Sequence, residues 1–294
     1  MEISCCSCQL KVSFYLGKMS IYGGLVHLKA NGSWKIFNKD NSNLPSNRVD
    51  ALLSDGEDGL WIGTNTGLAH LKVDGSWVVF NKENSNFPSN GVSALLSDNQ
   101  GAIWVGTTEG LVSLKADGSW LIFNKDNSDM PSNSISTLLS DNQGGLWIVD
   151  TYKGSIAHLK SDSSWEVFTR DNSELPHNEI NVLQSDNQGG LWVGTKHGGL
   201  AYLKKEASWQ LFTRDNSDLP HDYINTLLSD GQEGILVGTW NGFAHFKANG
   251  SWQVFHKDNS DMLDNDVTSI ISDAQRGLWI GSSRSIIHIR SKQY

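Results

Sequence analysis

Three observations predict an all-β fold assembled from one repeated unit. Tryptophans preceded by serine recur at Trp34, Trp77, Trp120, Trp165, Trp209 and Trp252, spaced 43, 43, 45, 44 and 43 residues apart. A second landmark of the LWIG type keeps step with the first at Trp61, Trp104, Trp147, Trp192 and Trp279, with Leu236 in the remaining slot. Each apolar stretch inside the unit is shorter than the roughly ten residues a helix needs, and Gly, Asn or Ser interrupts it. A fixed period of this size is the mark of a repeat architecture.

One unit gives the elements in order. VDALLSD (49–55), GLWIGT (59–64), GLAHLK (67–72) and SWVVF (76–80) read as four strands joined by turns. Four strands in a unit of this length make one blade of a β-propeller. In the last strand Trp77 and Val79 face one way and Val78 and Phe80 the other, so both faces of the sheet are apolar. Such a sheet must be covered on both sides, which stacking between two neighbouring blades achieves.

The count of units leaves one strand over. The chain has six copies each of the first, second and fourth stretches but seven of the third, because GLVHLK (24–29) and SWKIF (33–37) come before any recognisable first strand and SIIHIR (285–290) has no fourth strand after it. A single propeller of six four-stranded blades is expected over residues 22–294, with 33–37 closing the ring as the outer strand of the C-terminal blade. The alternative is seven blades, with residues 3 to 20 as two degenerate strands of the first. Residues 1–21 are read as a leader or degenerate strands outside the clear repeats.

Composition narrows the function. A net charge of −9 without a basic stretch argues against nucleic acid, whose phosphates are bound by clustered Lys and Arg. No run approaches the roughly eighteen apolar residues of a membrane span, and the start lacks the pattern of a secretory signal. A soluble, cytoplasmic location is therefore the default, with an extracytoplasmic one open if residues precede Met1. Cys5, Cys6 and Cys8 crowd the first residues and none lies in a repeat, so no disulfide framework is expected, and three crowded thiols do not match a zinc site. No metal and no cofactor is expected.

The blade text LPSNRVDALLSDGEDGLWIGTNTGLAHL (44–71) resembles the two-component regulator propeller repeat, and six units covering about residues 44 to 290 share the pattern. The resemblance implies a propeller of the kind that forms extracytoplasmic sensor regions of bacterial hybrid histidine kinases, often associated with polysaccharide-derived ligands. No kinase segment accompanies the repeats here, so what carries over is a ligand-binding propeller.

Residues shared by every unit are assigned to the scaffold. Asp55, Asp98, Asp141, Asp186, Asp230 and Asp273 each precede a turn, and their carboxylates are expected to accept turn N–H groups rather than to hold calcium, for which no suitable loop spacing exists. His27, His70, His158, His245 and His288 share one register of the third strand, with Ser113 and Tyr202 in the other two copies, and are read as packing or hydrogen bonding between blades. The tryptophans are read as wedges between blades.

Positions that differ between units are the functional candidates. They fall at the residue entering the first strand and in the loop between the second and third strands, which propeller connectivity brings to one end. Units around residues 147–241 also carry both length changes, Val149 and Asp150 in place of Gly-Thr, and PHN or PHD in place of PSN. The candidate ligand-binding set is Asp150, Tyr152, Lys153, His177, Glu179, Lys196, His197, His221, Tyr223 and Trp240. Aromatic faces beside polar groups suit an oligosaccharide or a peptide; drift on exposed loops is the bland alternative. A non-catalytic binding or interaction propeller, acting as a monomer, is the leading expectation. Two others stay open: a lyase or hydrolase using a rim His/Glu pair, and a structural scaffold for protein partners; no carboxylate pair for glycoside hydrolysis can be named, since Glu179 and Asp150 meet only if the loops bring them within several ångströms.

Overall fold

The structure, a computed structural model, describes residues 23–28, 31–98, 101–115, 117–150, 154–273 and 277–290. The described residues form strands, turns and loops and no helix, so nothing among them is a helix long and apolar enough to cross a membrane. The leader expected over residues 1–21, with its three cysteines, lies outside the described residues.

Two strands, β1 (Leu25–Leu28) and β2 (Trp34–Phe37), form a partial first unit. Five four-stranded antiparallel blades follow. Blade 1 comprises β3 (Val49–Ser54), β4 (Leu60–Thr64), β5 (Gly67–Leu71) and β6 (Trp77–Phe80), and blade 2 comprises β7 (Val92–Ser97), β8 (Ile103–Thr107), β9 (Leu111–Leu114) and β10 (Trp120–Phe123). Blade 3 is β11 (Ile135–Ser140), β12 (Leu146–Asp150), β13 (Ile156–Leu159) and β14 (Trp165–Phe168). Blade 4 is β15 (Ile180–Ser185), β16 (Leu191–Thr195), β17 (Leu200–Leu203) and β18 (Trp209–Phe212). Blade 5 is β19 (Ile224–Ser229), β20 (Ile235–Thr239), β21 (Gly242–Phe246) and β22 (Trp252–Phe255). Blade 6 has three strands, β23 (Val267–Ser272), β24 (Leu278–Ser282) and β25 (Ile286–Ile289). The first strands of successive blades lie side by side on the inside of the array.

The expected closure through residues 33–37 is not what forms. β2 pairs with β1, Leu25 opposite Phe37 and Leu28 opposite Trp34, and no described pairing joins it to β25. The reason is local. The seventh copy of the third strand precedes β2 in the chain, and a hairpin partner a few residues away closes with far less loss of chain entropy than one at the other end of the molecule. The surplus strand found in the sequence is thus used, and the array is six blades plus a partial one.

A core cluster fills each junction between neighbouring units. At five of them a phenylalanine ending the fourth strand of one unit meets the edge of the serine-linked tryptophan of the next. The pairs are Phe37 with Trp77, Phe80 with Trp120, Phe123 with Trp165, Phe168 with Trp209 and Phe212 with Trp252, at centroid separations of 5.1 to 5.8 Å. Edge-to-face geometry is the favoured arrangement for such rings. The wedge reading therefore holds for these five tryptophans, whereas Trp34, in the partial unit, is exposed.

The glycine of the second strand sets how closely blades approach. A Cβ on Gly63, Gly106 or Gly194 would lie 2.5, 2.7 and 2.6 Å from Val92, Ile135 and Ile224 of the next blade. The innermost strands are tied as well. Ser93 donates to the carbonyl of Ile135, and Asn181 and Asn225 donate at 2.8 Å to the carbonyls of Ile224 and Val267, each reaching into the next blade. The junction between blades 3 and 4 departs from both rules. Val149 stands where the other blades have glycine, Ser136 bonds back to the Val149 carbonyl of its own blade at 3.4 Å, and the contact between β11 and β15 thins.

Candidate functional site

The two ends of the blades differ in what they hold. At the turn between first and second strands the repeated aspartate uses one oxygen for turn N–H groups, as at Asp141, which accepts from Gln143 and Gly145 at 2.7 Å. Its other oxygen takes a side chain of the third strand: His70 on Asp55, His158 on Asp141, His245 on Asp230 and His288 on Asp273, at 2.7 to 2.9 Å. Tyr202 donates its hydroxyl to Asp186 at 2.7 Å. In blade 2, where Ser113 cannot reach, the Trp104 indole N–H donates to Asp98 instead at 3.1 Å. The imidazole or phenol also stacks on the LWIG tryptophan, 4.0 Å for Trp61 with His70 and 3.8 Å for Trp147 with His158. These bonds run within a blade, so the expectation of bonding between blades is corrected. The third strand pairs with the second of its own sheet, which puts Trp61 directly opposite His70.

The electrostatics of this end follow from those bonds. Burial raises the carboxyls of Asp55 and Asp230, but the histidine and the turn N–H groups more than offset it and hold both below the ordinary carboxylate range. Burial, together with the Asp186 carboxylate, pushes the Tyr202 phenol upward, so it remains a hydrogen-bond donor. No group of three or more metal-ligating side chains occurs among the described residues.

At the opposite end, the loop between second and third strands meets the segment entering the first strand. Lys196 N–H donates to the Glu179 carbonyl at 3.0 Å, as Thr108 does to Gly91 and Ser283 to Asp266. Within blades 4 and 5 this brings seven of the ten candidates together. His177 and His197 meet edge to face at 5.2 Å, His197 meets the edge of Tyr223 at 5.9 Å, and Tyr223 stacks on Trp240 at 4.1 Å with 9° between planes. His221 lies 5.9 Å from Trp240 on the same row. Glu179 sits beside the row, 3.3 Å from His197 Nε2 and 3.9 Å from Lys196 Nζ. Trp240 is 52 % exposed.

The histidines of PHN and PHD keep the turn while changing its chemistry. Elsewhere the serine of PSN accepts the N–H two residues on, as Ser46 does from Arg48 and Ser132 from Ser134. His177 Nδ1 accepts the Glu179 N–H at 3.0 Å and His221 Nδ1 accepts the Tyr223 N–H at 2.9 Å. Because Nδ1 is the acceptor, each neutral ring carries its proton on Nε2, which adds a donor at the rim without disturbing the backbone.

Three candidates fall outside this group. Asp150 is only 4 % exposed at the end of β12, in the slot where Thr64, Thr107, Thr195 and Thr239 are buried. Its carboxylate is therefore part of the interior and does not present itself beside Glu179 as a second catalytic acid. Tyr152 and Lys153 lie outside the described residues. Ser136 was not legible as special, since Ser93 in the same slot also bonds within its own blade, to the Gly106 carbonyl at 3.0 Å, and differs only in its further bond to Ile135 of the next blade.

Strand order, blade packing and the repeated aspartate network define a protein of the β-propeller class. The model of the two component regulator propeller matches residues 43–66, 86–109, 129–152 and 174–197, one segment at the start of each of blades 1 to 4, so the chain carries repeats similar to that family's there. None of the curated proteins matches the chain. Among solved structures, the chain is similar to the extracellular domain of the hybrid two component system BT3049 from B. thetaiotaomicron, with TM-score 0.64 and 22 % identity over 84 % of this chain and 34 % of that one. A streptogramin B lyase matches with TM-score 0.64 and 14 % identity over 90 % of this chain and 85 % of the lyase. PorZ, a surface component of the type-IX secretion system of Porphyromonas gingivalis, matches with TM-score 0.60 and 15 % identity over 82 % of this chain and 38 % of PorZ. The chain thus spans about a third of the two sensor or surface proteins' length, and likeness at these identities is likeness of fold.

Proposed function

We propose that this propeller is a non-catalytic binding module whose ligand lies across the rim of blades 4 and 5. The observation that carries the reading is the continuous row from His177 through His197 and Tyr223 to Trp240, ending in a half-exposed indole. Flat aromatic faces take the apolar face of a sugar ring or a peptide side chain, while Glu179, Lys196 and the imidazole N–H groups take hydroxyl or amide edges. A binding role agrees with the neighbours that are extracellular domains of two-component systems, and by the same likeness we assign the chain an extracytoplasmic setting.

The lyase neighbour does not by itself favour an enzyme. Among the described residues, His197 and Glu179 form the rim His/Glu pair suited to acid–base work, and both are more than half exposed. An open ion pair of that kind lacks the exclusion of water that tunes a general acid or base.

The test is an unbiased glycan and peptide array, followed by titration calorimetry of each hit against Trp240→Ala and Tyr223→Ala. We expect at least about a tenfold loss of affinity, the scale of one stacked aromatic contact. Hits whose affinity is unchanged in both variants would move the site elsewhere on the ring.

A further inference from the structure

The segments that lead from the fourth strand of one unit to the first strand of the next lie at the same end of the array as the aromatic row, and their charge is graded. The segment before β3 carries Lys39 and Arg48 against Asp40. From there each segment is at least as acidic as the one before it, and the last, before β23, sets Asp258, Asp261, Asp264 and Asp266 against Lys257. Arg284 acts on Asp264 from the neighbouring loop of blade 6, which still leaves an excess of negative charge there.

The same segment departs from the repeat in a second, apolar way. Five units follow the buried residue of this turn with proline, at Pro45, Pro88, Pro131, Pro176 and Pro220, whereas the sixth follows buried Met262 with Leu263. Leu263 is 79 % exposed, more than any other large apolar side chain among the described residues. A lone exposed leucine means little on a protein surface. This one belongs to a segment held against the loop of the half-exposed Trp240. The Gly242 N–H donates to the Asn265 carbonyl at 2.7 Å, and the Asn265 amide donates to Asn241 Oδ1 at 3.1 Å. Beside Leu263, Asp264 accepts the Ser283 hydroxyl at 2.6 Å; this bond and the Asp266 N–H hold its carboxyl below the ordinary range, so it stays charged.

We propose that the ligand of the rim is a basic peptide segment with apolar side chains, one packing on Leu263 and another on Trp240. Such a ligand presupposes the rim site on blades 4 and 5 and narrows its choice from sugar or peptide to peptide. A branched aliphatic side chain offers no flat face to a sugar ring and no hydrogen bond to a hydroxyl, but it packs well on another aliphatic side chain. The surrounding carboxylates attract Lys and Arg and repel an acidic ligand. Leu263 thereby extends the aromatic row onto blade 6.

Titration calorimetry with defined probes tests this: synthetic peptides of equal length built of Lys and Leu, of Lys and Ser, and of Glu and Leu, beside a panel of neutral and acidic oligosaccharides. The Lys–Leu peptide should bind, at least about tenfold more tightly than the other two, and its affinity should fall as salt is raised. Leu263→Pro restores the residue of the other five units and should lower that affinity about tenfold, the scale of one buried leucine. Leu263→Ser is the second variant should the proline disturb the turn, as circular dichroism will show. Asp258→Asn combined with Asp261→Asn, both at exposed positions, should weaken binding and flatten its salt dependence. Oligosaccharides bound in place of the Lys–Leu peptide and lost in Trp240→Ala would overturn the peptide assignment and leave the rim site standing. So would a Lys–Leu peptide whose affinity depends on Trp240 but not on Leu263, or a Lys–Ser peptide that binds as tightly. Binding unchanged in both Trp240→Ala and Tyr223→Ala would remove the rim site and this proposal with it.

Discussion

The same residue serves opposite purposes at the two ends of a blade. His158 lies under the turn between first and second strands, stacked on Trp147 and bonded to a buried Asp141, and the equivalent position repeats this in blades 1, 5 and 6 with only the stacking partner lost in blade 5. His221 lies at the rim, where its Nδ1 does the work of a serine and the rest of its ring joins an aromatic row found nowhere else among the described residues. A ring of like units needs one end to be uniform, because every blade must close the same turn. The other end is free to differ, because there a side chain can change without disturbing the strands.

The predictions test that division, beginning with the largest effect. Asp141→Ala should cost about 4 kcal/mol in the urea midpoint, since two turn N–H groups and the His158 ring lose a buried acceptor together. Gly194→Val should cost about 3 kcal/mol, because its Cβ would fall 2.6 Å from Ile224 and 2.7 Å from Val182. The same side chain is native at Val149 in blade 3, where the junction is already parted; a tolerated Gly194→Val would mean that the junctions are equally plastic.

His158→Ser should cost about 1–2 kcal/mol and no more, because the unpartnered Trp147 indole N–H can then turn to Asp141, as Trp104 does to Asp98 in blade 2. Loss of stability well beyond that would mean the indole cannot substitute. His221→Ser should change stability by less than about 0.5 kcal/mol, since it restores the serine that caps this turn in blades 1 and 3.

Acid should act at the uniform end first. Asp55 and Asp230 have folded-state pKa values below their unfolded value of about 3.9, so their contribution is complete above that value and is lost as pH falls through the lower, folded one. The urea midpoint should hold steady down to about pH 5 and decline below pH 4, less steeply in Asp230→Asn. A decline that the variant leaves unchanged would place the acid sensitivity in other carboxylates.

Much of this was readable in the chain, and the reason is repetition. Copies at a spacing near 43 residues exposed the strand boundaries, the turn aspartates and the tryptophan wedges, because a residue kept in six settings must serve what the settings share. The same comparison singled out His177, Glu179, Lys196, His197, His221, Tyr223 and Trp240 as departures. What it could not give was their arrangement as a row, the burial of Asp150, or which inner-strand serine reaches into the next blade, since these depend on how neighbouring blades approach one another. Closure shows the limit most clearly. Pattern counting assigned residues 33–37 to the C-terminal blade, but pattern treats all third strands as equal partners, whereas pairing follows proximity along the chain. The sequence alone determined the unit, its strands and its turn aspartates, whose partners lie within about 20 residues along the chain. Only the tertiary structure decided which strand closes on which, which faces stay open and which variable residues meet, because those contacts join segments that no local pattern relates.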